Sequence, residues 1–248
     1  MSESARDYVL SLALPEAGPA FETARSFEFS ERQEAVAVGA QLAEFTDAVP
    51  AEVRGAIADS ILLAQLAANK AAGESQDVFR WYDKYVEVLQ NLGWQIRDVD
   101  FQTQTVSDQN AGMHKAIAPV LMAMLGPQAA AASIVLAVLN GLEEMDSSTP
   151  WITLFDRASQ HARGAKFQVS YVDADAHGHP EITLLSVGIR ANRTITQVLF
   201  FKFSAQDAEL KKAAGKMAVS MQRLNSARDA IAERVQPFIA DFVKNVEI

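Results

Sequence analysis

From Ala116 to Leu142 the chain reads AIAPVLMAMLGPQAAAASIVLAVLNGL, without one Asp, Glu, Lys, Arg or His. A stretch of this kind has two physical homes, a protein core or a lipid environment, because no side chain in it secures a water-facing side. Gly126 and Pro127 divide it. Glycine suits a helix C-cap and proline the first turn of the next helix, so the spacing predicts a helical hairpin. Neither arm reaches the roughly 20 apolar residues needed to span a bilayer. Val120, Leu121 and Leu125 on the first arm, with Ile134, Val135, Leu136 and Leu139 on the second, are the candidate apolar-surface residues. They would meet a membrane or a partner if the hairpin left the core, and core packing is the plainer reading of the same residues.

The rest of the composition narrows the options. A hydrophobic fraction of 49% supplies enough apolar surface for a packed core. The formal charge of -9 disfavours nucleic acid, whose phosphates require clustered Lys and Arg. Without cysteine there are no disulfides, thiol chemistry or thiolate metal sites. The first twenty residues carry Glu3 and Asp7 and only a short apolar run before Pro15, unlike a secretory signal, so a cytoplasmic location is expected, with signal-free export open.

Along the chain, residues 1–29 hold Pro15, Gly18 and Pro19 and read as an N-terminal arm, with residues 30–248 as a single domain. Val38, Leu42 and Phe45 recur at helical spacing, which predicts a helix from Glu31 to about Val49. Pro50 opens a second helix that Gly73 stops. A third, from Gln76 to Leu92, carries aromatic and aliphatic residues around most of its circumference, as a central helix would. Alternation of Trp94, Ile96, Val99 and Phe101 predicts a strand near 94–106 with a bulge at Arg97 and Asp98. Thr149 and Pro150 begin a short helix. Three further strands are expected near 166–173, 181–190 and 194–203, and a final helix from Ser204 onward. Its seam of Leu210, Ala214, Met217, Met221, Leu224, Arg228, Ile231, Val235, Phe238 and Phe242 has heptad spacing.

Motifs for catalysis are absent: no GxSxG, Walker loop, GxGxxG or HExxH occurs. No catalytic residue, metal ligand or cofactor is therefore nominated. The segment from Asp173 to Pro180, with His177 and His179, has the composition of a turn, and a calcium-loop reading fails because the twelfth place is Leu184. Trp81, Tyr82 and Tyr85 are the candidates for lining a ligand pocket, since each has an apolar body and a polar tip, although a helical aromatic stripe usually packs.

The expected fold is α+β, a bundle of six or seven helices on a four-stranded, mainly antiparallel sheet. The expected function is non-enzymatic action through apolar surface. On architectural analogy with α-helical pore-forming toxins, which carry an insertable apolar element, the hairpin would act on a membrane or lipid. The heptad seam offers a route to a homo-oligomer or partner, and a binding protein for a small hydrophobic ligand is the alternative.

Overall fold

The computed structural model describes residues 4–17, 27–73, 78–104, 112–125, 134–161, 164–191, 195, 197–200 and 208–246. Helix α1 is Ala5–Ser11. A hairpin follows, β1 Glu34–Val38 and β2 Gln41–Phe45. Then come α2 Ala51–Ala72, α3 Val78–Asn91 and β3 Trp94–Gln104. The uncharged stretch supplies α4 Met113–Leu125 and α5 Ile134–Gly141. The chain continues through α6 Pro150–Ser159, β4 Gln160–His161, β5 Gly164–Ala174 and β6 Pro180–Ala191. It ends with β7 Ala208–Val219, α7 Met221–Phe242 and β8 Val243–Asn245.

Seven strands form one mixed sheet in the order β3-β7-β6-β5-β2-β1-β8, with β4 paired to β5. The pair β2 and β5 is parallel; the other pairings are antiparallel. The α+β class holds, but the sheet is larger than the four strands expected: β8 at Val243–Asn245 replaces the end of the expected final helix, and two longer segments also differ.

The segment expected to be a helix from Glu31 to Val49 is the β1–β2 hairpin. Val36 and Val38 face one side of the sheet while Ala35 and Ala37 face the other, all buried. A strand covered on both faces hides its period of two, so the chance spacing of Val38, Leu42 and Phe45 looked helical. Gly39 turns the hairpin with φ +55, and a Cβ there would lie 2.5 Å from the Gln65 side-chain oxygen. Gln65 takes up the space by accepting from the Ala40 N–H (2.8 Å) and donating to the Val38 carbonyl (2.8 Å).

The second correction concerns the expected final helix. Ala208–Val219 is a strand seated between β3 and β6, so Leu210, Ala214 and Met217 lie on a strand and the helical seam begins only at Met221. Its Ala, Glu and Lys favour helices, and pairing on both edges overrides that preference. The described part of the strand expected near 194–203 includes a turn at 198–200 instead. By contrast β3 has a register shift between Arg97 and Asp100, where the alternation of apolar residues requires a bulge.

Helices cover both faces, giving three layers. One core lies between the sheet and α1, α2, α3 and α7, and a second between the opposite face and α4, α5 and α6. α3 is less enclosed than expected, because Arg80, Asp83 and Glu87 are exposed along one edge. α7 buries Leu224, Ile231, Val235 and Phe238 in the first core and runs unbroken through Pro237, while Arg228 reaches Glu52 at 3.2 Å.

Candidate functional site

Helices α4 and α5 lie side by side against the second core, and their inward residues follow the 3.6-residue period. Leu121 on α4 and Val135, Leu136 and Leu139 on α5 are buried, while Val120, Leu125 and Ile134 are partly buried against the same core. The junction at Gly126 and Pro127 lies outside the described residues.

The outward side of this layer is unusual. Past Lys115, the exposed residues of α4 are Pro119, Met122 and Ala123, and those of α5 are Ala137 and Asn140. Met122 is 44% exposed and, with Leu10 at 43%, is one of two large apolar side chains that stand this far into solvent among the described residues. A surface helix normally offers charge to water. Here the outward face offers none from residue 116 onward.

The pair is fixed to the sheet by a charged group. Glu44 on β2 is fully buried, and its two carboxylate oxygens accept from the Ile134 N–H (2.8 Å) and the Val135 N–H (3.0 Å). Those amides open the first turn of α5, where free N–H groups and the helix dipole favour an anion. Gln33 donates to the same carboxylate at 2.6 Å. A buried carboxylate from one element thus serves as the N-terminal cap of another, and such charge-assisted bonds hold about 1.5–3 kcal/mol each.

The base of α4 is tied down separately. Buried His114 places its Nδ1 3.1 Å from the Leu199 carbonyl oxygen. Asp156 on α6 accepts from the Val198 N–H at 2.7 Å. Burial pushes the Asp156 carboxyl up to about 6, against the pull of the N–H groups of Val198 and Leu199.

No protein-family model and no curated protein matches this chain. Among solved structures it is similar to a delta-endotoxin, with 16% identity, coverage of 84% of this chain and 91% of that one, and a TM-score of 0.43. It is also similar to the activated Cyt2Ba monomer from Bacillus thuringiensis subsp. israelensis, with 14% identity, 56% and 80% coverage and a TM-score of 0.32. The Evf virulence factor gives 11% identity, 88% and 86% coverage and a TM-score of 0.33. At these TM-scores the likeness is loose.

The aromatic candidates occupy the first core, across the sheet. Trp81, Tyr82 and Tyr85 are at most 5% exposed, and the Trp81 and Tyr85 rings stack at 5.0 Å. The Trp81 indole N–H donates to Asn69 (2.7 Å), and the Tyr85 hydroxyl donates to Gln41 (2.8 Å), which donates in turn to Ser170 (2.9 Å). Lys166 sits over the Trp81 ring at 4.9 Å, and burial pushes its amine down to about 7. The polar tips of these aromatics are thus engaged within the protein.

Sequence reasoning passed over Glu44, Asp156 and Arg54. Fully buried Arg54 donates to the carbonyls of Val49, Ser30, Arg32 and Thr46 and to the Glu34 carboxylate, fixing the hairpin to α2. The signal for Glu44 is one acid inside QLAEF, a run otherwise fit for burial on both faces. It becomes legible only once the run is read as a strand.

Proposed function

We propose that the chain is a membrane-active protein whose α4–α5 layer is the part that meets lipid. The observation that carries this reading is the outward face of α4 and α5, uncharged from residue 116 onward, with Met122 exposed on it. Among the described residues no helix is long and apolar enough to cross a membrane. At about 1.5 Å per residue, α4 and α5 fall short of the roughly 30 Å hydrocarbon core. The layer therefore acts in the interface, lying in the plane between headgroups and acyl chains. The net charge of -9 opposes attraction to anionic lipid, so zwitterionic phosphatidylcholine surfaces are the expected target.

The test is dye release from phosphatidylcholine vesicles at neutral pH, comparing wild type with M122D and L10D. Both substitutions fall on exposed positions and keep the fold, which circular dichroism checks. Release that survives L10D on α1 and is lost in M122D supports the reading. An inactive wild type, or equal loss in both variants, removes it.

A further inference from the structure

On the opposite face of the molecule a cleft of about 310 Å³ opens between α2, α7 and the segment holding Phe27 and Phe29. It is possible because α2 presents Gly55 and Ala58, and α7 Ala232, where larger side chains would close the gap. Phe27 and Phe29 wall one side, edge to face at 4.8 Å, and Ile239 and Val243 continue the apolar lining. Volumes of this order suit a small ligand, being at the low end of the ~300–1,000 Å³ range of ligand pockets.

Among the described residues the charges that line this cleft are of one sign, Asp59 on α2 and Glu233 on α7. Arg228, whose charge acts on Asp59, is held on Glu52 by its Nη1 to the carboxylate (3.2 Å) and its Nη2 to the Glu52 carbonyl (3.3 Å). Asp59 is partly buried and has no hydrogen-bond partner among the described residues. Glu233 is exposed, at the rim.

An anionic ligand would meet two carboxylates here, and a neutral one would leave Asp59 desolvated with only the partial offset of Arg228. A cation with an apolar body answers both features, since aromatic faces attract organic cations and the carboxylates balance their charge. We infer that this cleft is a binding site for a small organic ammonium compound with an apolar body, its charged centre against Asp59 and its apolar body between Phe29 and Ile239. Consistent with an unmet need for a counter-charge, burial pushes the Asp59 carboxyl up to about 6, with Arg228 only partly offsetting it. The site is independent of the membrane reading, because it lies across the sheet from α4 and α5.

The experiment uses benzyltrimethylammonium as the probe, followed by the methyl resonances of Ile239 and Val243 at pH 7.5, with its neutral isostere neopentylbenzene as control. Saturable shifts with the cation and none with the isostere are expected. D59N removes a desolvated charge that has no hydrogen-bond partner among the described residues, so it folds, and it weakens binding about tenfold or more. G55L, whose side chain projects into the cleft, abolishes binding. M122D leaves cation binding unchanged and D59N leaves vesicle release unchanged, which separates this inference from the membrane reading. Equal binding of the neutral isostere, unaltered affinity in D59N, or absence of binding in the wild type would each overturn it. So would binding seen only with choline-headgroup vesicles and not with the free cation.

Discussion

The two helical layers differ in what they show to water. On the α2–α3–α7 side, exposed residues include Glu52, Arg80, Glu87, Arg223, Asp229 and Asp241, so each helix has a side that water holds outward. On the other side α6 exposes Arg157, but past Lys115 the exposed residues of α4 and α5 are Pro119, Met122, Ala123, Ala137 and Asn140. A helix with a charged outer face has one favourable orientation. An uncharged one is held in place by what lies beneath it, here apolar contacts, the Glu44 cap and the ties at His114. The first layer is therefore committed to the fold from both sides, and the second is held there by its buried side alone.

The largest effect expected of this contrast is on the committed side. W81A removes a buried, stacked indole and should lower global stability by about 3–5 kcal/mol, read from urea unfolding. If it instead loosened only α3, the picture of a committed layer would break.

Next comes pH. Asp156 has a folded-state value of about 6 against 3.8 unfolded, so the folded protein binds the extra proton between those values. Stability must then fall as pH rises from about 4 to about 6, by about 2 kcal/mol for this group. Asp59 acts in the same direction and window. Glu87, whose hydrogen bond from Lys84 holds it below its ordinary value of 4.5, contributes stability lost only at lower pH. Urea midpoints at pH 4.2 and 6.5 test the sign, and D156N should flatten the slope. Asp156 and Asp59 make mild acid a stabilising condition, so neither supplies an acid trigger for opening the fold.

A smaller and more local effect is expected from E44Q. The amide keeps one acceptor and loses the charge that caps α5, which should raise amide exchange of Val138 and Leu139 by an amount equivalent to about 1–2 kcal/mol. Amides of Leu62 and Leu63 in α2 should not change. Equal acceleration in both helices would mean that the layers open together. Smallest of all, M122D should shift global stability by no more than about 0.5 kcal/mol while removing vesicle release, since surface positions seldom matter to the fold.

How far the sequence disclosed this arrangement depended on what each segment touches. Helix α2 was legible between Pro50 and Gly73, and so was the bulge in β3, because caps and alternation are local signals. β1, β2 and β7 were not legible, since strands buried on both faces or rich in alanine take their identity from neighbours far along the chain. The uncharged hairpin was plain as composition. Its anchor was hidden, because Glu44 and Ile134 are ninety residues apart in sequence and meet only across the sheet.

The parallel pairing of β2 with β5 carries a further consequence, for how the chain reaches this state. Gln41 pairs with Gln168, and α2, α3, β3, α4, α5 and α6 all lie in the loop between them. β3 likewise waits for β7, whose residues pair with it from over a hundred positions downstream. Contacts so distant make assembly slow, because the entropy of closing long loops is lost before the strands repay it. During synthesis α4 and α5 emerge before β5, β6 and β7 exist to receive them. The nascent chain thus presents its most lipid-like segment before the sheet that covers it is complete, the stage at which exposed apolar surface is most prone to aggregate.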